Sequence, residues 1–203
     1  MSLINLPEDM SDIIYFQENT DIYNIQFLNS TGSTNDAGKE IAKKGNANGV
    51  VIIADSQTDG RGRIERKWFS PKGVNIYMSI IRTLNRDIDE TFISGLNLAV
   101  SEGICSAIVK VASLEAYPRL PNDIYYNNKK LGGVLIESLI CGQAIRYIVV
   151  GIGINVNVER GGFPPDIADR ATSIYIETGK GLKRGTLICA ILIELHRYMT
   201  NII

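Results

Sequence analysis

The chain has 203 residues, a formal net charge of −1, a hydrophobic fraction of 45% and a charged fraction of 21%. This length suits one sizeable domain, and the composition is that of an ordinary globular protein. The balanced charge excludes a global basic field for nucleic acid, although a local patch can still bind phosphates. The N-terminus lacks the cationic start and apolar run of a secretory signal, and no apolar run reaches the ~18 residues of a membrane span. We therefore expect a cytoplasmic protein without a membrane segment.

The first half of the chain alternates between short strands and helices. In chain order the predicted elements are a strand at 24–29, a helix at about 35–44, a buried strand at 49–55, a polar loop at 57–72 and a strand at 74–81. Ser33 or Thr34 is the expected cap of the first helix, because hydroxyls accept hydrogen bonds from free N–H groups at a helix start. Gly45 is expected to end that helix.

The second half predicts a long helix, a meander and a final helix. The elements are a helix at 89–111, a strand around 113–117, a meander over 123–153 with a turn at Asn127–Asn128, an irregular segment at 161–165 and a helix at about 184–199. Hairpin strands mixed with a few helices indicate an α+β fold, with a mixed, largely antiparallel β-sheet flanked by helices. We expect one domain over 1–203, with an N-terminal extension at 1–23.

The segment DGRGRIERKW, residues 59–68, combines two glycines with four cations and two acids, which leaves it with a charge of about +2. Glycines let a backbone turn or approach a ligand closely, and arginines bind phosphate oxygens through forked hydrogen bonds. The segment is therefore interpreted as an anion-binding loop. The alternative is a solvated loop whose arginines pair with surface acids. It is not a P-loop, because the Lys-Ser/Thr ending is missing.

The segment also resembles the GRGRxGRxW signature of biotin–protein ligases. Four further segments stand in that family's order: STN at 33–35, PND at 121–123, KKLGGVLIE at 129–137 and GIGINVN at 151–157. The similarity covers about residues 26–158, and more weakly the rest. It implies the family's catalytic domain, which activates biotin with ATP and Mg²⁺ to biotinyl-5′-AMP. The enzyme then transfers biotin to a lysine of a biotin carboxyl carrier protein.

The resemblance implies a role for fifteen residues and no metal-binding residue. The biotin-binding residues would be Ser33, Thr34, Asn35, Gln57, Gly62, Arg63, Gly132 and Gly133. The residues that bind ATP or the adenylate would be Arg61, Arg63, Arg66, Trp68, Asn122, Lys130 and Asn155. The catalytic residues would be Arg63, Arg119 and Lys130. Structural alternatives remain open, namely helix capping for the STN hydroxyls, plain core packing for Trp68 and a solvated hairpin position for Lys130.

Three departures from the family pattern stand out. Arg119 occupies the position of the family's catalytic lysine, and Leu120 that of a tryptophan. Arginine keeps the charge but is bulkier and planar, so we expect reduced activity or a reshaped pocket. Ile64 and Glu65 replace a small or basic residue and a glycine within the loop. Finally, there is room for neither the N-terminal DNA-binding domain nor the C-terminal barrel of many relatives, so we expect no DNA binding by this chain.

The resemblance also suggests partners and leaves two other functions open. The carrier protein would dock beside the sheet edge, and the chain would form a homodimer. The alternatives are a lipoate or octanoyl ligase, and a degenerate paralogue that binds biotin without transferring it. Cys105, Cys141 and Cys189 are interpreted as buried free thiols. His196, the only histidine, lies outside every motif, which excludes a histidine-based triad.

Overall fold

The computed structural model describes residues 6–45, 47–64, 66–87, 90–141 and 144–200. Its seven strands are β1 (Asn24–Leu28), β2 (Val50–Ala54), β3 (Ile76–Asp87), β4 (Tyr117–Arg119), β5 (Asp123–Tyr126), β6 (Lys129–Cys141) and β7 (Ala144–Ile154). Its helices are α1 (Asp12–Glu18), α2 (Thr34–Lys43), α3 (Glu90–Ala112), α4 (Ile174–Thr178) and α5 (Arg184–Met199), with a 3-10 turn at Glu8–Met10 before α1.

The strands form one sheet in the order β1-β2-β3-β7-β6-β5-β4. Only the β1–β2 pair is parallel, and the other pairs are antiparallel. Asn127 and Asn128 have φ values of 45° and 62°, so the β5–β6 hairpin turns through two left-handed residues as predicted. The expected α+β fold with a mixed, largely antiparallel sheet is confirmed.

Both faces of the central sheet are covered, which explains why all five residues of β2 are buried. Side chains of a strand alternate between the two faces. Val51 and Ile53 join the large cluster formed with α3 and α5, whereas Val50 and Ile52 join a smaller cluster beneath α2. The helix α2 thus packs against β2, β3 and β7 on the face opposite α3 and α5.

The helix α3 is long and apolar. An 18-residue window within Thr91–Ala112 has a mean hydropathy of 1.6, so by length and composition the helix is apolar enough to cross a membrane. However, 56% of that window is buried, and the helix packs against α5 and the sheet. The core helix of a globular protein meets the same criteria, and the packing favours that interpretation.

Two local predictions need correction or completion. The strand predicted around 113–117 is displaced, because Ser113 adopts a left-handed φ of 51° after α3 and a tight turn from Ala116 N–H to Leu114 O follows. The strand β4 begins only at Tyr117. The short helix α4, capped by the Ser173 hydroxyl, was not predicted. The other predicted strands and helices agree with the structure within a few residues, except that β3 extends to Asp87.

The segment expected as an N-terminal extension carries the 3-10 turn and α1, which were not predicted. Met10 and Ile13 are fully buried there, and Phe16 is 8% exposed. All three belong to the main hydrophobic cluster with α5. This segment therefore helps to build the core from residue 10 onward.

Candidate active site

A cavity of about 610 Å³ lies beside the N-terminus of α2, which is a typical volume for a small-molecule site. Its wall is drawn from five parts of the chain: 33–35, 57–69, 121–135, 151–155 and 163–171. Thirteen of the fifteen residues singled out from the sequence line it. The exceptions are Gly132 and Arg119.

The N-terminus of α2 is capped by a side chain distant in sequence. Ser33 holds the cap position, but its side chain makes no capping hydrogen bond. Instead, Gln57 Oε1 accepts from the Thr34 N–H at 2.9 Å, and Gln57 Nε2 donates to Ser70 Oγ at 3.0 Å. The predicted hydroxyl cap is therefore wrong for Ser33. Its side chain lines the cavity instead of closing the helix.

The Asn35 side chain is held on three sides inside the protein. Ser79 Oγ donates to Asn35 Oδ1 at 2.6 Å, and Asn35 Nδ2 donates to Glu137 Oε2 at 2.7 Å and to Leu135 O at 3.2 Å. A Cβ on Gly151 would lie 2.2 Å from Asn35 Oδ1. Glycine at 151 thus lets this amide join α2 to β3 and β6.

The cationic loop closes into a small hairpin. Trp68 N–H donates to Gly60 O at 2.8 Å, and Gly62 N–H donates to Arg66 O at 2.6 Å. A Cβ on Gly60 would approach Ser70 Oγ to 2.5 Å, so this position admits no side chain. Ile64 near the tip has a φ of 55° and is 83% exposed. Glu65, which departs from the family pattern, lies outside the described residues.

Cations dominate the wall of the cavity among the residues that the structure describes. Two carboxylates, Asp123 and Asp166, also line it. The cations are Arg61, Arg63, Arg66, Lys67, Lys130 and Arg170. A cavity with such an excess of positive charge attracts an anionic ligand, because its low-dielectric walls focus the field.

Arg61 differs from the other loop arginines because a carboxylate already binds it. Its Nη1 and Nη2 donate to Asp36 Oδ2 and Oδ1 at 2.6 and 2.5 Å. These hydrogen bonds from Arg61, together with Lys39, lower the pKa of Asp36 to about 2. Lys39 also forms a 2.9 Å salt bridge with Glu137. A series of ion pairs therefore links the loop, α2 and β6.

Lys130 and Trp68 lie together on the wall. Lys130 Nζ is 2.6 Å from Asp123 Oδ1 and 5.4 Å from the centroid of the Trp68 ring. A Cβ on Gly153 would lie 2.6 Å from Trp68 Cε2, so the indole ring rests against bare backbone of β7. Trp68 Nε1 is buried with no hydrogen-bond partner among the described residues. An acceptor on a bound ligand would satisfy this donor.

The side chains of two asparagines that were predicted to bind the nucleotide donate hydrogen bonds to main-chain carbonyl groups in this structure. Asn122 Nδ2 donates to Val134 O at 2.8 Å, and Asn155 Nδ2 donates to Thr172 O at 3.0 Å. Gly133 lines the cavity. Gly132 does not, because it packs against β7, where a Cβ would lie 2.8 Å from Gly153 O.

Arg119 does not reach the cavity wall. Its guanidinium lies over the Tyr125 ring, 4.6 Å from the centroid, and the residue is exposed.

The histidine and the two cysteines whose side chains the structure describes take no part in the cavity wall. His196 is half-buried on α5, outside the cavity. Burial raises the pKa of Cys105 and of Cys189 to about 12, so both free thiols are poor nucleophiles. The side chain of Cys141 lies outside the described residues.

Sequence reasoning missed Ser79 and the segment 163–171. Ser79 is an isolated polar residue inside an apolar strand, and that pattern was the available signal for it. Phe163 is buried against Phe69, with ring centroids 6.1 Å apart, and so holds the segment beside the cavity. Arg170 O accepts from Lys130 N–H at 2.8 Å. No local pattern marks this segment as part of a site.

Comparison with known proteins decides the family. The model of the biotin/lipoate A/B protein ligase family matches residues 27–155. A biotin protein ligase from Aquifex aeolicus, solved in complex with biotin and ATP, superposes with a TM-score of 0.72 and 31% identity over 88% of this chain and 71% of that one. The chain belongs to the biotin/lipoate A/B protein ligase family. The resemblance to the biotin–protein ligase catalytic domain is thereby confirmed.

Two further members of this family are similar to the chain. The bifunctional ligase/repressor BirA of Bacillus spizizenii is 35% identical over 173 residues, which are 83% of this chain and 53% of that protein. The biotin protein ligase of Leishmania major, in complex with biotinyl-5-AMP, has a TM-score of 0.71 and 28% identity over 88% of this chain and 75% of that one. The chain thus spans about half the length of the curated relative.

Proposed function

We propose that this chain joins biotin to ATP, giving biotinyl-5′-AMP and pyrophosphate, and then transfers biotin to a lysine of a biotin carboxyl carrier protein. The observation that carries the proposal is that a single cavity contains both uncharged hydrogen-bonding groups and a cluster of cations. A ligand with a neutral polar head and a phosphate matches that wall. Biotinyl-5′-AMP has both parts.

The neutral part of the wall suits the ureido ring of biotin. Ser33, Thr34 and Gln57 line the cavity with hydroxyl and amide groups and carry no charge. Gly133 leaves β6 bare where a flat ring or an alkyl chain can lie close. A dithiolane or an alkyl tail makes no such hydrogen bonds, so these residues favour biotin over lipoate or octanoate.

The cations suit the first reaction step. The biotin carboxylate attacks the α-phosphorus of ATP, and the bond to the β-phosphate oxygen breaks as pyrophosphate leaves. Two anions must approach each other, and Arg63, Arg66 and Lys130 would offset the repulsion and stabilise the phosphoryl oxygens. Removing one such contact typically lowers the rate by about 10²- to 10³-fold.

In the second step the lysine amine of the carrier attacks the acyl carbon, AMP leaves and the amine loses a proton. Mg²⁺ would enter with the phosphates of ATP, whose charge it neutralises. The described residues contain no group of three or more His, Cys, Asp or Glu side chains that could hold a metal. Asp123 already pairs with Lys130. We therefore propose no reaction step that uses a metal ion bound by protein side chains alone.

The test is pyrophosphate release with biotin, ATP and Mg²⁺, followed by incorporation of biotin into a purified carrier domain. A parallel reaction with lipoate separates the two branches of the family. Arg63→Gln should lower the rate of pyrophosphate release by about 10²-fold or more, because Arg63 would contact the phosphate. Turnover with lipoate and none with biotin would contradict the proposal.

Arg119 gives a reason to consider a protein that binds biotin but transfers it slowly or not at all. Its guanidinium stacks on Tyr125, outside the wall, where the family pattern has a lysine. The informative variant is Arg119→Lys. If wild type binds biotinyl-5′-AMP without turnover and Arg119→Lys restores turnover, this copy is a degenerate paralogue. Equal rates in both proteins would remove Arg119 from the catalytic machinery.

The remaining expectations concern the surroundings of the chain. Homodimer formation, the absence of DNA binding by this chain, docking of the carrier beside the sheet edge, a single domain over 1–203 and a cytoplasmic location stay predictions. Sedimentation of the purified chain with and without biotinyl-5′-AMP would test the first of them.

A further inference from the structure

The three arginines of the loop fall into two groups. Arg61 lies in the stem of the hairpin, where it pairs with Lys67 across the loop, and its side chain is 28% exposed. Arg63 and Arg66 are exposed. Among the described residues, Arg61 is the one loop arginine with a carboxylate partner. A family motif alone would assign all three arginines to the ligand.

The contact between Arg61 and Asp36 is a two-point fork. Both terminal nitrogens of the guanidinium donate to the two carboxylate oxygens, at 2.6 and 2.5 Å. Such pairs fix orientation as well as distance. The paired group is nearly neutral as a unit, so its attraction for a phosphate is much weaker than that of a free arginine.

Asp36 is itself well fixed. It lies in the first turn of α2, where the helix dipole favours a negative charge. Lys39 approaches its Oδ1 to 2.8 Å and reaches Glu137 of β6 at 2.9 Å. Glu137 also accepts from Asn35. The partner of Arg61 is therefore tied to α2 and, through Lys39, to β6, although it does not itself line the cavity.

We propose that Asp36 is a positioning residue that anchors the loop through Arg61 before any ligand arrives. The phosphate contacts are left to Arg63 and Arg66. Fixing the stem at Arg61 holds the backbone pairs of Gly60 with Trp68 and of Gly62 with Arg66 in register over the cavity. The bound adenylate then leaves slowly, because part of the ordering cost has been met beforehand. This assignment rests on the proposed function, since it takes the ligand to be an acyl-adenylate.

The first test needs no ligand. Hydrogen exchange of the Gly62 and Trp68 amides is measured in Asp36→Asn, Arg61→Gln and the double variant. We expect exchange at both amides to accelerate about tenfold in each single variant, and no further in the double variant. Glu40→Gln is the matched control, because Glu40 is on the same helix and pairs with Lys43. Unchanged exchange in Asp36→Asn would overturn the anchor.

The second test measures dissociation of a non-hydrolysable biotinyl-5′-AMP analogue. Asp36→Asn and Arg61→Gln should raise the dissociation rate equally, by about tenfold, and Asp36→Glu should recover part of the loss. Arg63→Gln should weaken binding of the analogue, while the amides of Gly62 and Trp68 stay protected from exchange. Weaker binding in Arg61→Gln alone would make Arg61 a phosphate ligand, and tighter binding in Asp36→Asn would make Asp36 an inhibitory latch. Either result overturns the proposal. If the wild type binds no analogue, the proposed function fails, and the exchange data still decide whether the anchor exists.

Discussion

Gly132 and Gly133 are neighbours in β6, yet their missing side chains serve different purposes. A Cβ on Gly132 would lie 2.6 Å from Ile154 Cδ1 and 2.8 Å from Gly153 O, so the backbone of β7 leaves no room. A Cβ on Gly133 would meet its nearest neighbours at 3.5 and 3.6 Å, which are ordinary contacts. Only Gly133 lines the cavity. The first glycine is thus required for packing, and the second is available for a ligand.

Alanine substitutions should separate these two roles. Gly132→Ala should lower the free energy of unfolding by about 1–3 kcal/mol, as overpacking does. Gly133→Ala should change it by less than about 0.5 kcal/mol but weaken biotin binding by tenfold or more, because its methyl group enters the cavity. Thermal denaturation and calorimetric titration with biotin measure the two effects. Biotin affinity unchanged in Gly133→Ala would show that no ligand approaches this strand.

Asp36 gives a prediction about pH. Its pKa falls from 3.8 to about 2 in the folded protein, chiefly because Arg61 donates to it. A carboxyl group with a lowered pKa binds fewer protons in the folded state, so its pairing stabilises the protein above about pH 4. This contribution is lost as the pH falls toward 2. The melting temperatures of wild type and Asp36→Asn should therefore differ by a constant amount near neutral pH and converge below about pH 4. A difference that persists at pH ~2 would contradict the assignment.

At the scale of elements, the site is assembled from parts that do not stabilise themselves. The N-terminus of α2 depends on Gln57, which follows a different strand. The cationic hairpin is held by Arg61, by backbone pairs and by Trp68, which rests on Gly153 of β7. The segment 163–171 has little regular structure and is held by Phe163, which packs against Phe69. Each part is ordered by a contact with another element.

Phe163 should therefore control the segment beside the cavity. Phe163→Ala removes a buried ring, and we expect the amides of 163–171 to exchange faster while the sheet amides remain protected. ATP should bind about tenfold more weakly, because the segment holds Lys130 through Arg170. Biotin affinity should stay within twofold, because Gln57, Ser79 and Glu137 hold Thr34 and Asn35. Hydrogen exchange and titration with each ligand test this. A parallel loss of both affinities would indicate general unfolding of the site.

At the scale of the whole molecule, one buried ion cluster ties the two ends of the chain to the centre. Arg184 at the start of α5 is 1% exposed and bonds Asp9 through Nε and Nη2, at 2.6 and 3.0 Å. Its Nη1 donates to Asp55 at 2.8 Å. Asp55 directly follows β2, two residues before Gln57. The N-terminal segment, α5 and the base of the loop therefore share one arginine.

Arg184→Ala should destabilise the whole protein. Removing one member of a buried pair leaves carboxylates without a partner and typically costs about 3–5 kcal/mol. Chemical denaturation should show a lower midpoint. Arg197→Ala is the control, because Arg197 is 64% exposed and the buried Glu194 keeps Lys110 and Ser106 as partners, so we expect a loss below about 1 kcal/mol. Similar losses in both variants would argue against the central role of Arg184.

The sequence by itself determined most of the elements, the family and thirteen of the residues that line the cavity. Alternating apolar residues in strands and steps of three and four in helices are local signals, as is the left-handed turn at Asn127–Asn128. The motif order assigned residues such as Lys130 and Trp68 to one site through the resemblance to biotin–protein ligases. These features depend on near neighbours in the chain or on family resemblance.

Only the tertiary structure decided which of those residues remain free to bind a ligand. Arg61 and Arg63 look alike in the sequence, but one is bound to Asp36, 25 residues away. The amide of Asn35 is held by Ser79 and Glu137. Such partners are set by the register of the sheet and the placement of α2 on it. A hydrogen bond between distant residues leaves no periodic trace in the sequence, so the division between anchors and free groups appears only in the folded chain.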